Sequence, residues 1–551
     1  MVKQSSNTMG LADWLVFAFC LGFPMAVGVY FMMQAKRAAA KNPGGAMEEY
    51  MMASKSAEVF PLALSIVTSF MSAITVLGVP GDVPASNTAY VWFLLTFTIV
   101  CALTALVYVP VFYNMEIKST YEYLNRRFGN TTRLMGVVAF LVQTALYLGI
   151  VIYAPALALS KTTGLNLWGV VVGTGIVCII YTTLGGMKAV IWTGVFQALV
   201  MFGGFFAIII FGCYDMGWGE IWRINKEEHR LDIWDFSTDI RQKHTFWTIL
   251  FAGQMVWLSL YATSQAQVQR YMSSKTLKDA QLAIGINIVG LWFINAAALA
   301  CGMVIFAFWY RCDPIAMGRI TGTDQYLPYF VVSKLSHLWG VAGLHVSSVY
   351  AGSLSTVSSG INAMAMCTME DFIKPYKTLS DQQQKNISMI LVIVYGSLSI
   401  LIAWLASVLG PVLQAALSIL GILGGPLVAV FTMGIVFPFA NQKGAICGSV
   451  AGVAFGWVIF GFSKADPKSS ILKSYIPPHV DFAQCNGNWT NDIDHYLDQN
   501  DVRTSDLDDF LKTARGGEAA CAADSSDMSD EEDKSIDKEE DIEFIQTSKP
   551  F

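Results

Sequence analysis

Long apolar stretches separated by short polar ones run through the first 462 residues, and the longest reach the roughly 20 residues a helix needs to cross bilayer hydrocarbon. Twelve can be read, at 12–33, 58–80, 88–113, 131–159, 163–184, 187–213, 245–269, 281–310, 333–370, 386–407, 411–437 and 443–462, numbered here one to twelve. The pattern predicts an all-α polytopic membrane protein. Span one is longer than the core of a signal peptide and no small-residue cleavage site follows it, so it reads as a retained helix. Glycine and proline mark where spans can break. Span two has a hydroxyl-rich middle (Ser65, Thr68, Ser69, Ser72, Thr75) flanked by Pro61, Gly78 and Pro80. Span seven carries Gly253 and then the polar run Ser264, Gln265, Gln267 and Gln269. The two spans lie five helices apart. That is the offset of an inverted repeat in which paired helices unwind to hold ion and substrate, although ordinary helix packing also uses such residues.

Composition agrees with the pattern: 54% of residues are hydrophobic and 14% charged, with a mean hydropathy of +0.49, too apolar for a soluble chain of 551 residues. Basic residues set the orientation. Lys36, Arg37, Lys41 and Lys55 follow span one, Lys118, Arg126 and Arg127 span three, Arg270, Lys275 and Lys278 span seven, and Lys374, Lys377 and Lys385 span nine. Those loops are expected in the cytoplasm and the amino terminus, residues 1–11, outside. Of the sequons at Asn130, Asn386 and Asn488, only Asn488 then lies on the glycosylated side, and its neighbour Cys485 can pair with Cys312 in the outer loop after span eight. Residues 463–551 read as this glycosylatable loop followed by a disordered acidic tail. From Asp501 onward there are 16 acidic and 6 basic residues, net −10, so the overall −6 leaves about +4 for the remainder of the chain. Ser529, within DMSDEED, fits acidic-directed phosphorylation, which needs a cytoplasmic tail. Twelve spans from an outside start place that tail outside, and the two expectations conflict.

Candidate chemistry centres on span nine, where Ser353, Ser355, Thr356, Ser358 and Ser359 interrupt an apolar helix. Gly352, Ser355 and Ser359 share one face at helical spacing with Thr356 on its flank, and the glycine admits a close neighbour. A small hard cation such as sodium takes oxygen ligands that hydrocarbon cannot offer; close helix packing is the other reading of the same hydroxyls. No Asp, Glu, Lys, Arg or His falls near the middle of a span, since Glu58, Arg133, Lys188 and His345 are all near an end. That argues against a proton relay, and the absence of a filter loop, a phosphate-binding glycine loop or a nucleophile elbow argues against a channel, a pump and a hydrolase. The chain is not expected to be an enzyme or to bind nucleic acid, and its oligomeric state is left open.

The strings SFMSAITVLGVP, PVFYNMEIKSTYEYLNRRF, LYLGIVIYAPALALSKTTGL, YTTLGGMKAVIWTGVFQ, SQAQVQRYMSSKT and SLSTVSSGINAMAMCTMEDFIKP resemble the sodium/solute symporter family, in the branch of the sodium-iodide, multivitamin and sodium-coupled monocarboxylate transporters. The resemblance covers residues 12–462. It implies a LeuT-type five-plus-five inverted-repeat core, about 58–437, that works by alternating access. It also implies a sodium site with backbone ligands at Thr68, Met71 and near Gly352 and hydroxyls from Ser355 and Thr356. Substrate positions would be Phe70, Thr75, Tyr147, Tyr261, Gln265 and Gln414. The implied function is sodium-coupled symport of a small monovalent anion such as a monocarboxylate, vitamin or halide across the plasma membrane. With no Arg or Lys expected in the bundle, the anion would be met by sodium, helix dipoles and hydroxyls.

Two departures stand out. Relatives usually read WTDVFQ where this chain has Gly194 in WTGVFQ, and the missing aspartate is associated there with sodium binding or coupling. One sodium moving with one monovalent anion is electroneutral. Coupling then forgoes the voltage term, about 2.3 kcal/mol per charge per 100 mV, and keeps the sodium gradient, about 1.4 kcal/mol per tenfold. A weakly coupled carrier or a non-transporting solute or sodium sensor is therefore the alternative reading. The second departure is that the family's thirteenth helix, expected between Asn488 and the tail, has no apolar counterpart here.

Overall fold

The computed structural model describes residues 9–41, 46–238, 244–315, 317, 319–407 and 412–465. All of these lie in the first of two compact units, Met1–Val480; Asp481–Phe551 is the second. Among the described residues there is no strand beyond an isolated bridge between Ala57 and Ser274. Among the described residues eight helices are long and apolar enough to cross a bilayer, and a bent pair, Val59–Phe70 with Ala73–Ala85, adds a ninth if it counts as one span. The protein is a multi-pass membrane protein. Its outward-facing Leu106, Leu199, Ile210, Phe251, Leu401 and Phe455 are more than 60% exposed, which suits a face toward lipid.

The helix borders have local causes. Thr276 caps Leu277–Trp309 by accepting from Asp279 N at 3.1 Å, and Ser380 forms a reciprocal capping box with Gln383 at the start of Asp381–Ala406. Spans five and six run together as Leu167–Asp215, turned at Gly186 (φ 59°, ψ −165°). A Cβ there would lie 2.7 Å from the Tyr50 carbonyl oxygen. Tyr50 in turn donates to Thr183 O at 3.2 Å, so the short helix Ala46–Met52 is seated on this bend.

Span nine differs from the expected 333–370. Tyr326–Lys334 is a separate short helix, and the span itself is Val341–Cys367, entered through Gly340 at φ +82°. The break keeps the Lys334 ammonium off the buried helix, where an unpaired charge would be costly. Val341–Cys367 packs against Leu167–Asp215, Asn130–Thr163, Leu11–Lys41 and both halves of span two, and nearly all its residues are buried. Its hydroxyls thus face protein on every side.

Replacing Gly186 with alanine combines a disfavoured backbone conformation with a backbone clash against Tyr50. A stability loss of about 1–3 kcal/mol, read as a lower melting temperature of the detergent-purified protein, is expected.

Candidate functional site: a hydroxyl cage beside a polar cavity

Span two stops being helical at Met71 (φ −79°, ψ 82°), and Ser72 starts the second half by accepting from Ile74 N at 3.2 Å. The Ser72 N–H turns back to Phe70 O instead of continuing the ladder to Thr68 O. Among the described residues no backbone N–H reaches the carbonyls of Thr68, Ser69 or Met71. These bare oxygens are the negative end of a helix dipole inside a packed bundle.

Span nine crosses this break at Gly352. A Cβ on Gly352 would sit 2.9 Å from Ser72 C, 3.0 Å from Ala73 N and 3.1 Å from Met71 O, so only glycine allows the approach. The contact lays a hydroxyl row over the freed carbonyls. Thr356 Oγ1 lies 3.0 Å from both Ser69 O and Gly352 O, which share its one hydrogen. Ser355 Oγ lies 3.2 Å from Thr68 Oγ1 and 3.0 Å from Ser69 Oγ, and Ser69 Oγ lies 3.2 Å from Ser359 Oγ. Every one of these side chains is buried. The set is all neutral oxygen, as no cluster of three His, Cys, Asp or Glu suited to a metal exists among the described residues. Hydroxyls and carbonyls gathered in this way offer the neutral oxygen ligands that a hard cation takes once the hydroxyl hydrogens rotate outward.

A narrow cavity adjoins the cage and is walled by Ser69, Phe70, Tyr147, Gln267, Arg270, Thr356 and Ser359, among others. Phe70 is backed by Tyr261 at 4.3 Å and Trp257 at 4.6 Å between ring centroids, and Tyr147 donates to Ser72 Oγ at 3.3 Å. Thus Thr68, Met71, Gly352, Ser355 and Thr356 converge, and Phe70 and Tyr147 reach the cavity.

Other expected substrate positions do not line it. Tyr261 stands behind Phe70, its hydroxyl shared with Asn287. Gln265 is committed elsewhere: its carbonyl oxygen accepts from Thr120 N and Oγ1 at 2.7 Å and its amide donates to Lys118 O. Thr75 is buried in the first turn of Ala73–Ala85. Gln414 is exposed on Val412–Ile419. Gly194 packs on Ser65, where its Cβ would lie 2.9 Å from Ser65 Cα. Cys312 is disulfide-bonded, and the other described cysteines are free; its expected partner Cys485, like Asn488 and Ser529, lies outside the described residues.

The expectation that no cation enters the bundle is corrected. Arg270 is fully buried and borders the cavity. Span seven breaks between Tyr261 and Gln265, and the second half, Gln265–Tyr271, stays in the packed interior past residue 269, where the hydropathy reading starts a loop. The break in span seven was the signal that could have located it.

The profile of the sodium:solute symporter family matches residues 50–452. The chain belongs to this family. It is 44% identical over 486 residues to sodium-coupled monocarboxylate transporter 1 of Homo sapiens, covering 88% of this chain and 78% of that one. The corresponding figures are 41% over 452 residues for the human sodium-coupled monocarboxylate transporter 2 (82% and 72%) and 40% over 470 residues for the human sodium/iodide cotransporter (85% and 72%). Among solved structures, a Na+-coupled sialic acid symporter in a substrate-bound outward-open state superposes with a TM-score of 0.71 at 24% identity, covering 82% of this chain and 98% of that one. The fold is that of the LeuT-type symporters, sodium is the coupling ion, and the protein is a sodium-coupled symporter of small anions rather than an enzyme.

Removing one hydroxyl ligand costs about 1–2 kcal/mol. Ser355→Ala or Thr356→Ala is therefore expected to raise the sodium concentration for half-maximal uptake about tenfold. Ser353→Ala is the control, because its hydroxyl donates away from the cage to Val151 O at 2.7 Å. Titration of uptake against sodium separates the two cage variants from the control.

Proposed function

We propose that this symporter carries a small monocarboxylate with one sodium ion across the plasma membrane, with residues 58–437 as the moving core, the amino terminus outside, and sodium held by Thr68, Met71, Gly352, Ser355 and Thr356. The observation that carries the reading is the cage of neutral oxygens at the break in span two, opening on a cavity walled by Phe70 and Tyr147. A cage without a carboxylate leaves the sodium charge unbalanced in a low-dielectric interior, so an anion in the adjoining cavity strengthens sodium binding and is strengthened by it. The names of the relatives at 41–44% identity favour a monocarboxylate as that anion.

Gly194 bears on stoichiometry. It presses against Ser65 and brings no carboxylate to that part of the bundle, which supports a single sodium per anion and hence electroneutral transport.

Uptake of labelled lactate, pyruvate, nicotinate, iodide, biotin and pantothenate into expressing cells, with sodium replaced by choline, tests both points. The expected outcome is sodium-dependent uptake of the short carboxylates with little associated current. Large saturable inward currents would overturn the one-to-one stoichiometry, and absence of uptake of every anion would leave the non-transporting sensor in its place.

A further inference from the structure

The feature that symport through the sodium cage leaves unexplained is Arg270. Its guanidinium is fully buried, yet among the described residues it has no carboxylate partner. Nε donates to Ser65 Oγ at 3.2 Å, Nη1 to Ala266 O at 3.2 Å, and Nη2 to Ser359 Oγ. Three of five N–H donors are so engaged, and each terminal nitrogen keeps one N–H that no described residue accepts. A buried charge held only by hydroxyls and a carbonyl is costly unless a counter-charge joins it. Position 194, where a Cβ would lie 3.1 Å from the same Ser65 Oγ, is glycine and supplies no carboxylate.

Resting on the symport reading above, we infer that Arg270 is the anion-binding group of the cavity and that the carboxylate of the substrate is its missing counter-ion. Arg270, Ser69, Thr356 and Ser359 wall the same space. Ser359 Oγ accepts from Arg270 and lies 3.2 Å from Ser69 Oγ, which lies 3.0 Å from Ser355 Oγ. The guanidinium is thus a short hydroxyl chain away from the sodium cage. Sodium and guanidinium repel across it until an anion sits between them, and by linkage each raises the affinity for the anion while the anion raises the affinity for sodium. The free N–H groups, one on each terminal nitrogen, match the two oxygens of a planar carboxylate better than a spherical halide.

The test uses the detergent-purified full chain and two probes, pyruvate and its neutral ester methyl pyruvate, with thermal unfolding as the readout in sodium or choline. Pyruvate is expected to raise the melting temperature in sodium and methyl pyruvate to leave it unchanged. Arg270→Lys, which keeps the charge and loses the fork, is expected to weaken pyruvate about tenfold while the shift given by sodium alone remains. Arg270→Gln is expected to abolish the pyruvate shift; should that variant not fold, the lysine variant decides. Wild-type pyruvate affinity in Arg270→Lys, or equal stabilisation by acid and ester, overturns the assignment. Uptake keeps the two readings apart. Wild-type protein that binds pyruvate through Arg270 but does not move it retires symport and supports the subsite, whereas normal uptake with an unaltered lysine variant retires the subsite alone.

Discussion

Everything at the centre of this protein follows from how closely the backbone of span nine approaches the break in span two. At Gly352 there is no room for a single methyl group between the two chains. That proximity lets hydroxyls one turn further along reach the broken helix: Thr356 meets the freed Ser69 carbonyl, and Ser355 meets the Thr68 and Ser69 hydroxyls. A break without the crossing helix would leave bare carbonyls in an apolar interior, and a crossing without the break would find every carbonyl already bonded. The site exists because both occur at one place.

The electrostatics are built from a shortage of negative charge. The cage holds no carboxylate, so a bound cation is met by dipoles alone, and such a site is weak until an anion shares the cavity. Span seven, broken five helices later, contributes the buried Arg270 to the same wall. The two interrupted helices therefore divide the work: one offers oxygens, the other a guanidinium. A pair of positive charges flanking this buried cavity makes an anion the stabilising third member, and this is a physical route to coupling without a titrating group in the cage. Proton chemistry has no role in such a scheme.

Much of this architecture was legible in the order of residues. Spans of apolar residues, the glycines and prolines of span two, the polar run of span seven and the hydroxyl face of span nine were all visible as periodicity and composition, because membrane solvation and helix geometry act on local sequence. The expected sodium positions meet for the same reason: a helical repeat puts Ser355 and Ser359 on one face, and a break at Met71 follows from what flanks it. Side-chain commitments across the bundle were not legible. Gln265 looked like a substrate ligand and instead ties down residues 118–120; Gln414 looked inward and is exposed.

What the chain alone determined is the apolar character of its spans, where two of them break, and which helix face carries hydroxyls, since each depends on neighbours a few residues away. What only the tertiary structure decided is which partners those groups find. Arg270 reads as the start of a loop, and it is an interior charge because the second half of span seven packs inside after its turn. Burial of a charge depends on elements far apart in the chain closing around it, and no local pattern records that.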